Sequence, residues 1–421
     1  MDFVVYLLLA LEAALALGLL WRAGCLRSKA AWAASLLLLL LAFCARAYVF
    51  DYETLDYQNF LTKWVAFFRD NGHFRALRSS VGNYNIPYLY FLALFSLLPI
   101  RDLYLIKLLS TLFDVLLAWG AMRLLGRFTK RSAALIACFF TVLCLPTVFL
   151  NSAVWAQCDS SYAALLVIAL WLALDERPVP SMICAALAFG FKLQAVFVLP
   201  VFAVLWMAGK IRWQHFLIFP LTYVLLVLPA VLLGRPFWET LTLYFSQTGS
   251  IGDALNYNSS SVFAILWRLP ASAQTSRIAV AAAFAFMLFV LGACFVRRRD
   301  LTDRAILAAA VLLAAGIPFL LPHMHDRYFF CADILSVVLA YAAWLCAAAA
   351  VLCQFASGLG YHAYLKMRFL LPMRYGAYAL VLTLAIAGLY FSVSLERGAE
   401  ERLAAEKAAA ARANGSVKKG T

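Results

Sequence analysis

The chain has 421 residues, 65% of them hydrophobic and 13% charged, with a formal net charge of +14. A soluble domain carries roughly a quarter charged residues, so the composition excludes an ordinary soluble enzyme. The Lys and Arg residues cluster in short loops between apolar runs, so membrane lipids with anionic headgroups are the expected partner and nucleic acid is not.

The apolar runs are long enough, and numerous enough, for an all-α polytopic membrane protein of about 12 or 13 transmembrane helices. No large polar insertion interrupts them. Residues 1–395 therefore read as one membrane domain, with 51–100 as its first outer loop and 396–421 as a polar tail. The ten cysteines show no CxxC pairing and lie in or beside apolar runs, which fits small core residues.

Residues 3–22 lack a basic start and a small-residue cleavage site, as expected of a retained first span. A second span at 32–50 leads to the outer loop. The stretch 86–99 is too short to cross at 1.5 Å per residue and reads as a juxtamembrane or half-inserted helix. Spans at 103–124, 134–151 and 158–174 follow. Residues 181–209 suit two short helices, up and partly back, with Lys192 near the bend. Further spans are expected at 214–234, 277–296, 304–321, 328–353 and 375–394, with an outer loop over 235–275. Five basic loops are assigned inward by the positive-inside rule. They contain Arg22, Arg27 and Lys29; Arg123, Arg127, Lys130 and Arg131; Lys210 and Arg212; Arg297, Arg298, Arg299 and Arg304; and Lys366, Arg368 and Arg374. The acidic loop 175–180 fits that rule poorly, and this count leaves the tail outside.

The polar clusters then fall together on the outer side. In FDYETLDYQNFLTKW, Asp51, Glu53 and Asp56 could take a proton from a hydroxyl, cradle a divalent metal through oxygen ligands, or serve as an acidic loop. Lys63, Arg69, Arg75 and Arg78 run against the positive-inside rule, and phosphate binding would account for them; a longer loop also escapes the rule. Tyr84 and Asn85 could bond sugar hydroxyls or anchor the interface. In NSAVWAQCDSSY, Trp155, Gln157, Asp159 and Ser160 sit at a helix start, where Asp159 could also be a cap. Lys192 and Gln194 follow in FKLQAVFVLP; a lysine in an apolar bend normally faces a partner or cavity.

LPHMHDRYFF carries His323, His325, Asp326, Arg327 and Tyr328. Two histidines two residues apart diverge on a helix and converge only on an extended loop, and no third metal ligand is evident. The preferred reading makes the histidines and Arg327 hydrogen-bond donors to a phosphate, with Asp326 orienting one of them. No required cofactor is expected, and divalent-metal dependence stays open.

WAQCDSSY, KLQAVFVLP and HMHDRYFF, in that order, resemble the GT-C superfamily of integral-membrane glycosyltransferases. The nearest patterns are the bacterial mannosyltransferases related to the second mannosyltransferase of glycosylphosphatidylinositol synthesis, and the dolichyl-phosphate-glucose glucosyltransferases. The resemblance covers roughly residues 50–330. It implies inverting transfer of a hexose from a polyprenyl-phosphate donor to a glycan, glycolipid or protein acceptor, at the outer face of what would be a bacterial cytoplasmic membrane. It implies Asp56 as catalytic carboxylate, with Asp51 and Glu53 behind it. Lys192, His323, His325 and Arg327 would hold the donor phosphate, and Trp155, Gln157 and Asp159 would line the pocket. The acid of the late motif is Asp326 where the glucosyltransferases have Glu, and Lys192 and Gln194 are separated by Leu193, which leaves the sugar open. The competing reading is a lipid-linked sugar flippase or solute transporter, since transporters also use broken helices with polar groups near the midplane.

Overall fold

The computed structural model describes residues 1–244 and 253–417, with side chains through residue 409. Residues 245–252 of the expected outer loop and 418–421 of the tail lie outside the described residues.

The long Leu-, Val- and Ala-rich runs satisfy their backbone polar groups internally as helices, as a membrane requires. Among the described residues eight helices are long and apolar enough to span, including Phe3–Arg22, Lys29–Val49, Asp102–Leu125, Trp213–Leu232 and Ala273–Val296, followed by Asp303–Leu320, Trp344–Leu365 and Arg374–Ala409. A ninth pass is a bent pair, Ser132–Leu143 with Pro146–Val154, broken by 44° where Pro146 restarts the helix. Besides Ile86–Phe95, the shorter apolar helices are Asp159–Leu174, Pro178–Phe191, Leu193–Met207 and Phe330–Ala342. Among the described residues eight or nine passes are thus long enough to span, against the 12 or 13 expected, because several of the apolar runs form helices of fewer than 18 residues. Asp102–Leu125 and Asp303–Leu320 are central, with 78% and 83% of their spans buried, whereas Trp213–Leu232 and Ala273–Val296 are peripheral, at 17% and 22%.

Side-chain caps set several helix starts: Ser28, Ser272 and Thr302 accept from Ala31, Thr275 and Ala305 backbone N–H groups. Lys107 closes the other end of Lys29–Val49. Its ammonium donates to the carbonyls of Val49, Phe50 and Tyr52, which pins the start of the first long loop. That loop holds Thr62–Asp70 and the short helix Ile86–Phe95, which is mostly buried and begins at an Asn85 cap.

Ion pairs mark one end of the bundle. Arg127 bridges Asp175 at 3.3 Å and Asp303 at 3.2 Å, and Lys210 reaches Asp303 at 3.1 Å. The acidic loop that fitted the charge rule poorly is thus a counter-ion for its basic neighbours. Lys192 sits at the bend between Pro178–Phe191 and Leu193–Met207, at the opposite end.

The last third departs from expectation. Residues 328–353 are not one span. The helix Phe330–Ala342 stops at Ala343, whose backbone is extended, and a new pass begins at Trp344. The turn is invisible to hydropathy because Trp344 and Leu345, both exposed, carry no charge; Arg304 donates to the Ala342 carbonyl there. This extra pass reverses everything after it. Tyr364 stacks on Trp155 with centroids 4.0 Å apart, so the loop of Lys366, Arg368 and Arg374 lies at the Trp155 end and not with the other basic loops. Arg402 pairs with Asp300 at 2.9 Å, so the tail leaves from the basic-loop end, opposite to the side first expected.

Candidate active site

Two five-residue π-helical turns build the centre of the site, Tyr57–Leu61 and Leu150–Val154. Such turns insert an extra residue into a helix and re-aim the side chains beside it. Asp56 immediately precedes the first and Trp155 immediately follows the second. Tyr57 anchors the first by donating to Asp102 at 2.9 Å. Thr54 ties the two together, its hydroxyl donating to the Trp155 carbonyl at 3.1 Å. Between Trp155 and Gln157, Ala156 adopts a left-handed φ of 63°. A non-glycine residue holds that conformation at a cost of about 1–2 kcal/mol, and here it lets the two side chains that flank it address one carboxylate.

That carboxylate is Asp56. Its Oδ2 accepts from Trp155 Nε1 at 2.8 Å and from Gln157 Nε2 at 2.9 Å. The Gln157 carbonyl oxygen accepts in turn from Arg327 at 2.5 Å and from the Tyr84 hydroxyl at 3.0 Å. Two donors on its oxygen leave the amide nitrogen of Gln157 to face Asp56. Arg327 also lies 3.4 Å from Asp159, stands over the Trp155 ring at 4.9 Å, and has Asp326 3.7 Å from its Nε. Asp159 takes Lys192 Nζ at 2.5 Å and Asn151 Nδ2 at 2.7 Å. A continuous polar chain therefore runs Asp56, Gln157, Arg327, Asp159, Lys192. The early carboxylate and the late basic motif are thereby joined in one polar network.

His325 lies beside this network. Met324–His325 pairs in parallel with Asn256–Tyr257, and the imidazole stacks on Tyr257 with centroids 4.8 Å apart. Burial, reinforced by the Arg327 charge, pushes its pKa down to about 4, so the ring is neutral near pH 7 and retains a donor N–H. Burial raises Asp326 to about 7, with the Arg327 charge opposing the rise. Tyr328 packs near His325 at 5.3 Å and interacts with Gln194.

Other expected residues sit elsewhere. His323 has φ 61° and spends both ring nitrogens on structure, Nδ1 against the Ala254 carbonyl at 2.7 Å and Nε2 against Ser276 at 3.2 Å. It clasps the 254–257 segment to the motif, and the two histidines do not converge. Asp51 is bonded by the Tyr104 hydroxyl, and Glu53 is paired with Arg101 and bonded by Gln58. Asn85 is consumed by its cap and by Tyr223, to which it donates at 2.9 Å. Arg75 and Arg78 are exposed on the turn His73–Arg78, away from the buried chain of contacts. Among the described residues no group of three or more His, Cys, Asp or Glu is arranged to hold a metal ion.

Sequence reasoning overlooked the support beneath the site. Arg46 and Asp114, both buried, pair at 3.0 Å. Asp114 also accepts from Ser152 in the second π turn and from Ser160 beside Asp159, each at 2.5 Å. Asn151 holds Tyr361 at 2.9 Å, and the Tyr364 ring covers Trp155. The available signal was an arginine, an aspartate and Lys107 inside otherwise apolar spans, where ionisable groups are functional or structural by necessity.

The family model described as glycosyltransferase family 87 matches residues 83–322, more than half of the chain. No curated protein and no solved structure matched. The matched stretch contains Trp155, Gln157, Asp159 and Lys192; Asp56 precedes it, Arg327 follows it, and the fold brings both to it. The chain belongs to glycosyltransferase family 87 and is a membrane glycosyltransferase.

Proposed function

We propose that this protein moves a hexose from a polyprenyl-phosphate donor to an acceptor hydroxyl, with inversion at the anomeric carbon. The observation that carries the reading is the polar chain from Asp56 to Lys192, which joins a carboxylate and two cations at one end of a membrane bundle. The acceptor oxygen attacks the anomeric carbon while the bond from that carbon to the phosphate oxygen breaks. The acceptor proton passes to Asp56, and the bonding pair leaves with the prenyl phosphate. Charge grows on the phosphate as the bond lengthens, and Lys192 and Arg327, with the neutral His325 N–H, are its stabilising donors. Trp155 and Gln157 orient Asp56, and Tyr84 and Asp326 border the sugar. Asp51 and Glu53 are held outside this chain, by Tyr104 and by Arg101. Arg75 and Arg78 would meet the donor phosphate before it is buried.

Four of the five short basic loops lie at the far end of the bundle, which supports an outward-facing site in a bacterial cytoplasmic membrane. The acceptor is a glycan, a glycolipid or a protein. Resemblance to the GT-C mannosyltransferases favours mannose among hexoses. Since Lys192 and Arg327 supply the positive charge, the reading calls for no cofactor.

The test is incubation of purified protein with radiolabelled polyprenyl-phosphate hexoses and, separately, nucleotide sugars, with and without EDTA. Label transfer from a polyprenyl-phosphate hexose that survives EDTA is expected. Transfer from nucleotide sugars alone would contradict the donor assignment.

A further inference from the structure

The additional pass Trp344–Leu365 ends at the site, and one of its polar groups has no task yet. Tyr361 and Tyr364 are three residues apart and so share one face of that helix. Both rings pack on Trp155, Tyr361 edge-on at 5.3 Å and Tyr364 face-on at 4.0 Å. Gly360 lets the helix come this close, since a Cβ there would meet the Asn258 carbonyl oxygen at 2.9 Å and the Asp326 carbonyl oxygen at 3.0 Å. The two hydroxyls differ. That of Tyr361 is bonded to Asn151. That of Tyr364 is buried without a hydrogen bond, although the residue as a whole is partly exposed. It lies within range of the Asp56 carboxylate and backbone but is not aligned to bond them.

We infer that Tyr364 is a positioning residue for the transfer, a third support of Asp56 after Trp155 and Gln157, its hydroxyl donating to the Asp56 carboxylate once substrates fill the site. The inference rests on the reading of Asp56 as the base and adds a group that lies outside the stretch matched by the family model. Two charged groups face the hydroxyl, Asp56 and Arg327. A guanidinium accepts no hydrogen bond, so Asp56 is the partner. A buried hydroxyl without a bond is unfavourable in the free protein, and a small closure of the site relieves it. Trp155 and Gln157 both donate to Oδ2; a further donor favours the ionised carboxylate, the form that takes a proton. The ring has separate work, since its stack on Trp155 keeps the indole N–H on Oδ2. The other titratable groups that act on Asp56 are His325, Asp326 and Arg327. Asp51 and Glu53 are engaged by Tyr104 and Arg101.

The experiment measures transfer across pH by full-length wild type and Tyr364→Phe, with whichever radiolabelled polyprenyl-phosphate hexose wild type accepts. Phe keeps the stack on Trp155 and removes only the hydroxyl. The acidic limb of kcat is expected to move up by about one pH unit, a loss of about tenfold on that limb, with the donor KM within about twofold of wild type. The melting temperature is expected to equal or exceed that of wild type, because the lost hydroxyl was unbonded. The same upward move is expected in an Asp326→Asn background, which removes the other carboxyl titrating near pH 7. Added to Asp56→Asn, Tyr364→Phe should cost nothing further. An unmoved limb overturns the inference, since the ring alone then matters. So does a raised donor KM with an unmoved limb, which puts the hydroxyl on the donor. A lower melting temperature, or further loss on top of Asp56→Asn, overturns it as well. The two readings fail separately. Slow transfer by Asp56→Asn beside a wild-type profile for Tyr364→Phe removes Tyr364 alone. Wild-type transfer by Asp56→Asn, or no donor accepted by wild type, removes the earlier reading and this inference with it.

Discussion

Gln157→Glu changes one NH2 for one oxygen and almost no volume, yet it reverses what Asp56 faces. In the native site Arg327 and Tyr84 both donate to the Gln157 carbonyl oxygen, so the amide nitrogen has no choice but to point at Asp56, 2.9 Å away. In the variant the same donors hold one carboxylate oxygen, and the other confronts Asp56 Oδ2. Two unit charges 2.9 Å apart repel by about 6 kcal/mol at an effective dielectric of about 20. Arg327 offsets part of this. If only a third survives, about 2 kcal/mol, the pair ionises more than one pH unit later than Asp56 does alone. The account therefore expects the acidic limb of the pH dependence of kcat/KM to move upward by one to three units, roughly, so that transfer is lost at mildly acidic pH where wild type still works and recovers as pH rises. Gln157→Met, which removes the donor without adding charge, is expected to shift the limb less. The assay is radiolabelled sugar transfer across pH on purified protein. An unmoved acidic limb in Gln157→Glu would refute the claim that Gln157 presents its amide nitrogen to the proton-accepting carboxylate.

Lys192→Met leaves Asp159 buried with a weaker partner set, so a loss of about 3–5 kcal/mol in stability is expected together with loss of transfer; adding Asp159→Asn should restore much of the thermal stability and none of the activity, and recovered activity would argue against a phosphate role for Lys192. Stability should also titrate in two opposing ways. His325 is held near 4, so the unfolded chain takes its proton more readily and stability falls as pH drops from about 6.5 toward 4, whereas Asp326 is raised to about 7, so stability falls as pH climbs from about 4 to 7. His325→Gln should flatten the first trend and Asp326→Asn the second in thermal melts across pH; identical profiles for wild type and both variants would contradict this. For topology, a cysteine at Arg368 and one at Glu406 should react with impermeant reagent from opposite faces of the membrane, and labelling from the same face would remove the additional pass at Trp344–Leu365.

The sequence made the membrane class, the short helix in the first loop, the bend at Lys192 and the clustering of polar residues at one end readable, because apolar length and isolated charges report them directly. It could not show the turn at Ala343, since hydropathy responds to polarity and Trp344 and Leu345 supply none. That single missed turn inverted the sides assigned to Lys366, Arg368, Arg374 and the tail. It could not separate His323 from His325 either. The two share a motif, and only the pairing of the Asn256–Tyr257 strand makes one a clasp and leaves the other beside the polar network. The π turns leave no periodic mark in five residues, yet they aim Asp56 and Trp155 at each other. Arg46 and Asp114 were readable in principle as charges within apolar spans, but their partnership depends on which helices pack together.

The most direct test of the account is Asp56→Asn, a near-isosteric change at the carboxylate that Trp155 and Gln157 hold, assayed for both donor binding and sugar transfer. The account predicts a folded, inserted protein that still binds prenyl-phosphate sugar and transfers it about a hundred- to ten-thousandfold more slowly. Transfer at close to the wild-type rate would contradict it.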